Sequence, residues 1–183
     1  MKKQLSYVSM IIGLLLALGA FSVTAHDRDD KVRARMSPSQ EVPAVSSQAS
    51  GDFEARIEDT QVTFKFTYEG LEGGNVLFAH IHLGQRTANG GVMTFLCGGG
   101  TKPTPCPNGS GTVEGTITGA DIIGLATQQV PSGTVDAAGA FQEFVRALRN
   151  GTAYANLHTT ASPGGEIRGQ IRVDNGRHRG HDH

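Results

Sequence analysis

Tryptophan is absent from this chain of 183 residues, aromatic residues make up only 6%, and there are two cysteines. A core is therefore built from aliphatic side chains and eight phenylalanines. One cysteine pair excludes both a multi-disulfide scaffold and a four-thiolate zinc site. Charge of either sign is also scarce, with 16 Lys+Arg against 17 Asp+Glu. That balance leaves no electrostatic footprint for nucleic acid. The one apolar run, near the N-terminus, is short of the roughly 20 residues that a spanning helix needs, and no further stretch could span a bilayer. No internal repeat, phosphate-cradling glycine loop, Ser-His-Asp set or spaced carboxylate pair stands out.

The one apolar run has the form of a secretory leader. Lys2 and Lys3 precede apolar residues 8–21, and Val23-Thr24-Ala25 is a small-residue cleavage site. No cysteine for a lipid anchor lies nearby, and no twin arginine precedes the run. Residues 1–25 are thus expected to be a signal peptide cleaved after Ala25, giving a periplasmic or extracellular protein with no membrane span after cleavage. The remaining 183 − 25 = 158 residues carry 14 Lys+Arg and 17 Asp+Glu, a net charge of −3 with histidine neutral. In an exported chain Cys97 and Cys106 are expected to form a disulfide around the flexible loop between them.

Glycine, at 25 residues, punctuates short alternating runs, the pattern of an all-β sandwich or barrel. Strands are expected over 31–36, 51–57, 61–68, 76–83, 92–96, 112–118, 152–159 and 166–173. The clearest is 61–68, where Val62, Phe64, Phe66 and Tyr68 alternate with Thr63, Lys65 and Thr67. After Gly139 the period changes. Phe141, Phe144, Val145 and Leu148 make a helical stripe, with Asn150-Gly151 as its stop, so one short helix is expected near 141–150. An extra helical turn is expected within 119–125. Residues 26–30 read as a flexible N-terminus. Residues 174–183, with His178, His181 and His183, read as a disordered His-rich tail with loose affinity for metals.

Two histidine-bearing strands carry the chemistry. In a strand, residues two apart share a face. His80 and His82 therefore project together with Phe78, and His158 projects with Tyr154 and Asn156. If the two strands are neighbours, three imidazoles converge outside the apolar layer. Such a set holds copper or zinc with one position open, or else forms a solvated polar patch. Asn156 and Glu166 are the candidates to support the rings from behind. Glu166 and Arg168, two apart, read as a structural motif in which an ion pair or backbone contact holds the hairpin. Asn108-Gly109-Ser110 and Asn150-Gly151-Thr152 match the glycosylation sequon, which matters only in a eukaryotic secretory host.

Four blocks together resemble the CHRD domain, the module named after chordin. They are Gln40-Glu41-Val42-Pro43, Ala79-His80-Ile81-His82-Leu83-Gly84, Tyr154-Ala155-Asn156-Leu157-His158-Thr159, and Ser162-Pro163-Gly164-Gly165-Glu166-Ile167-Arg168-Gly169-Gln170-Ile171. The resemblance spans 31–173. It implies an immunoglobulin-like Greek-key sandwich or barrel with limited similarity to copper–zinc superoxide dismutases. That enzyme takes two copper ligands from an H-x-H strand and another from a late strand, and His80, His82 and His158 are placed like those three. The position of Arg168 loosely resembles its anion-guiding arginine. No residue here corresponds to the histidine bridging copper and zinc, and there is no His-rich zinc loop, so dismutase activity is not implied. Growth-factor antagonism, known of chordin, is not carried over either, because the cysteine-rich modules are missing. Three readings follow. The first is an exported non-enzymatic module that binds a protein or envelope partner. The second is a copper- or zinc-binding protein using His80, His82 and His158. The third is a metal-dependent oxidoreductase at that same site.

Overall fold

The computed structural model of the chain describes residues 31–174. The expected signal peptide 1–25, the stretch 26–30 and the tail beyond Asp174 lie outside the described residues. The described chain is an all-β sandwich of two antiparallel sheets with one short helix. The strands are β1 (Lys31–Met36), β2 (Ser50–Ile57), β3 (Gln61–Glu69), β4 (Val76–Leu83), β5 (Gly91–Cys97), β6 (Gly111–Thr118), β7 (Ala153–Thr159), β8 (Ile167–Gln170) and β9 (Arg172–Val173). The helix α1 is Ala137–Asn150. One sheet has the order β6-β3-β2-β1-β9 and the other β5-β4-β7-β8.

Period-two alternation drives the first sheet. Along β2 and β3 every second side chain is buried, and these include Phe53, Ala55, Val62, Phe64 and Phe66. Ala79 and Ile81 of β4 and Leu157 of β7 meet them from the second sheet, all at 0% exposure. Burial of this kind is worth about 25 cal/mol per Å² of apolar surface. A disulfide joins Cys97, at the end of β5, to Cys106 in the loop before β6, with the Cα atoms 5.3 Å apart. It ties the edge strand of one sheet to the segment that enters the other.

Two elements depart from the sequence expectation by more than a one-residue shift at an end. The run 166–173, expected as one strand, is two. Residues 167–170 pair with β7 in the four-stranded sheet, while Arg172 and Val173 pair with β1 in the other. The chain passes between sheets at the fully buried Ile171. Period two continues through the crossing, so the side-chain pattern carries no mark of it. Beside the crossing, Ser37 pairs with Arg168 through two backbone bonds and joins the sheets. Gly169 permits this approach, since a Cβ there would lie 2.4 Å from the Arg35 carbonyl oxygen. The helix also begins earlier than expected. Asp136 caps it by accepting the Gly139 N–H at 2.9 Å, which makes Gly139 part of the first turn rather than a boundary. Its C-terminus ends on Gly151 at φ 67°, as glycine there allows. The turn expected within 119–125 is a short 3₁₀ helix, Gly119–Asp121.

Candidate metal centre

Strands β4 and β7 are direct neighbours, with Phe78 opposite His158, His80 opposite Asn156 and His82 opposite Tyr154. The three histidines thus meet on the outer face of the four-stranded sheet, as pleat parity requires. One ring nitrogen from each of His80, His82 and His158 lies within 4.8 Å of the other two. Two bonds of about 2.0–2.1 Å to one ion allow donor nitrogens no more than about 4 Å apart. The rings as placed stand slightly open relative to that span.

The solvated-patch alternative does not hold. His80 is 3% exposed, His82 8% and His158 6%. The face is roofed by loop segments. Gly90 offers its carbonyl to His82 Nδ1 at 2.9 Å, and Pro163 offers its own to His158 Nδ1 at 2.9 Å. A carbonyl only accepts, so both Nδ1 atoms carry the proton and both Nε2 atoms hold lone pairs. Neither Nε2 has a hydrogen-bond partner, and the same is true of His80 Nδ1. All three atoms are buried. Buried polar atoms without partners are rare in folded proteins, and here there is one on each ring of a single cluster.

Aromatic rings wall the set. His82 stacks on Tyr154 at 4.5 Å with 4° between planes. Phe78 packs on both His80 (5.1 Å) and His158 (4.8 Å), and Phe95 of β5 meets His80 edge-on at 5.3 Å. Desolvation in this apolar shell is the main reason the His80 pKa falls to about 2, with the His82 and His158 charges adding to it. His82 falls to about 4, mostly through desolvation and against the Gly90 hydrogen bond. Desolvation also lowers His158, opposed by the bond to Pro163. The rings are therefore neutral, the state in which imidazole binds metals.

Glu166 and Arg168 find separate partners instead of each other. The Glu166 carboxylate accepts from Ser47 Oγ (2.9 Å), the Glu72 N–H (2.7 Å), the Gly73 N–H (3.0 Å) and Thr159 Oγ1 (2.8 Å). Burial raises its pKa, but these four donors outweigh that and hold it below the usual range. Glu166 thus locks two loops onto β7 and does not support a histidine. Arg168 donates to Asn89 Oδ1 at 2.9 Å and to the Ala88 carbonyl at 3.0 Å, and its guanidinium lies 4.1 Å above the Tyr154 ring. Asn156, the other expected supporter, donates to Glu41 Oε1 at 2.6 Å and to the Ile167 carbonyl at 3.2 Å.

Sequence reasoning missed the part played by Glu41. It is 7% exposed, and burial pushes its pKa up to about 7 against the lowering effects of Arg168 and Asn156. Its membership of the Gln40-Glu41-Val42-Pro43 block was the available signal. Gly165, at φ 124°, leaves room for it, since a Cβ there would stand 2.6 Å from Glu41 Oε1. Phe95 and the two capping carbonyls were also missed. A backbone carbonyl leaves no trace in a residue pattern.

No curated protein and no solved structure matches the chain. The CHRD domain family does match, over residues 32–171, which takes in both histidine strands, runs from the second residue of β1 through β8, and stops just before β9. The chain belongs to the CHRD domain family.

Proposed function

We propose that this chain is an exported, non-enzymatic CHRD module of the cell envelope whose bound species is a copper or zinc ion held by His80, His82 and His158. The observation that carries this reading is the trio of buried, unpartnered ring nitrogens. Burying an acceptor without a partner costs about 1–3 kcal/mol, and a cation held by the three rings would relieve that cost. The carbonyls of Gly90 and Pro163 support it by fixing two rings in the tautomer a metal needs. Export is supported by the leader-like residues 1–25 and by the disulfide, which belongs to oxidising compartments. Holding or delivering the ion fits better than turnover. Aromatic rings enclose the cluster, and the Glu166 carboxylate is committed to four other donors.

The test is metal content of untagged protein recovered from the periplasm. His178→Ser, His181→Ser and His183→Ser remove the tail's own affinity. The expected result is about one copper or zinc ion per chain, retained through dialysis and lost when His80→Ala, His82→Ala and His158→Ala are added. A chain that stays empty when titrated with both metals, or keeps its ion without the three rings, overturns the reading.

A further inference from the structure

Resting on that three-histidine reading, we infer that the site selects a monovalent ion, copper(I), over zinc(II) and copper(II). The argument is one of charge. All three donors are neutral imidazoles, and the groups bonded behind them, the Gly90 and Pro163 carbonyls, are neutral as well. The two acids of the surrounding loops are turned to other tasks. Glu166 is satisfied by Ser47, Thr159 and two backbone N–H groups, and Glu41 is bonded to the Asn156 amide. A positive charge stands beside the cluster, the Arg168 guanidinium stacked on the Tyr154 ring that in turn stacks on His82. A bound ion therefore brings its whole charge into a buried pocket beside another cation. The cost of burying an ion scales with the square of its charge, so a divalent ion meets about four times the penalty of a monovalent one.

Coordination number points the same way. Zinc(II) with three protein ligands completes its shell with a water or an anion. Here Phe78, Phe95 and Tyr154 pack against the rings. Among the described residues the cluster contains no fourth His, Cys, Asp or Glu. Copper(I), a closed-shell ion content with two or three donors, needs none. The apolar wall also excludes the anions that would neutralise a divalent ion.

The experiment uses the full chain with His178→Ser, His181→Ser and His183→Ser. Copper(I) is titrated anaerobically against a chromophoric copper(I) chelator. Zinc(II) and copper(II) are titrated separately against their own chelators. The expected result is one copper(I) per chain, bound at least about a thousandfold more tightly than either divalent ion. His158→Gln, checked for an unchanged circular-dichroism spectrum, should weaken copper(I) binding by at least about a hundredfold. This conservative variant keeps the test valid should the triple alanine variant fail to fold. Zinc(II) or copper(II) binding as tightly as copper(I), and lost in His158→Gln, overturns the charge selection while leaving the three-histidine site in place. Copper(I) binding unchanged in His158→Gln and in the triple alanine variant overturns the selection and the site together.

Discussion

The outer faces of the two sheets have the same alternating pattern and opposite fates. On the five-stranded sheet the outward residues are solvated. Arg33, Glu54, Lys65 and Glu114 form one cross-strand row of alternating charge, and all four are exposed. On the four-stranded sheet the outward His80, His82, Tyr154, Asn156, His158, Arg168 and Gln170 are all buried. Three loop segments make the difference, through Glu41 on Asn156, Gly90 on His82 and Pro163 on His158. A polar group facing water needs no designed partner, whereas one under a loop must find one. Most beneath these loops do. Gln170, for example, donates to the carbonyls of Gly84, Gly151 and Ala153. The exceptions are the three imidazole nitrogens, and that concentration is the ground for proposing the covered face as the functional one.

The comparison is broken most severely by removing the carboxylate that pins the loops down. Glu166→Ala leaves four donors without their acceptor, two of them in buried bonds, and is expected to cost about 3–5 kcal/mol. Glu54→Ala, on the solvated face, is expected to stay within about 0.5 kcal/mol. Urea midpoints of the two variants, measured side by side, give the contrast. Similar midpoints would mean that the loops do not depend on Glu166. The seam between the sheets comes next. Reducing Cys97–Cys106, or replacing both by Ser, frees a loop with a sequence separation of 9. The expected loss is about 2–3 kcal/mol on the chain-entropy argument, read as a lower melting temperature in reductant that the double Ser variant no longer shows.

Legibility in the sequence followed the same divide. Strict alternation made the solvated face readable, because Thr63, Lys65 and Thr67 against Val62, Phe64 and Phe66 obey period two with nothing above them. The histidine trio was legible too, since pleat parity and the adjacency of β4 and β7 suffice to bring the rings together. What lies over them was not. Glu41 reaches Asn156 across 115 residues of chain, and the capping atoms of Gly90 and Pro163 are backbone. Nor was the crossing at Ile171 visible, because that buried residue keeps the alternation while changing sheets. Glu166 was readable as structural, but its four donors come from three separate segments.

Acid sharpens the comparison further, with a moderate expected effect. In the metal-free protein His80 and His82 titrate at about 2 and about 4, below their unfolded value near 6.5, and His158 is lowered too. Their contribution is complete above the unfolded value and declines as pH falls below it, because the unfolded chain then binds protons that the folded one refuses. Glu41 opposes this. Its folded value of about 7 lies above the unfolded 4.5, so its burden on the fold is relieved as pH falls through 7. Two histidines against one carboxyl leave a net loss of about 1–3 kcal/mol between pH 7 and pH 5. Replacing the three histidines by Gln should abolish this loss, leaving Glu41 to stabilise the fold on acidification. A variant that keeps the loss would place its source outside the cluster.

The smallest effect belongs to the solvated face itself. Lys65 and Glu114 stand 3.6 Å apart across β3 and β6, with both side chains more than half exposed. An exposed pair of this kind gains little from Coulomb attraction and spends part of that gain on side-chain order. A double-mutant cycle of Lys65→Ala and Glu114→Ala is expected to give a coupling of about 0.2–1 kcal/mol, falling further in 1 M salt. The salt dependence matters more than the size, because only solvent-exposed charges are screened so readily. A coupling above about 2 kcal/mol that salt leaves untouched would show this row to be covered in solution. The two faces would then differ only in what lies over them, a loop on one and a partner on the other.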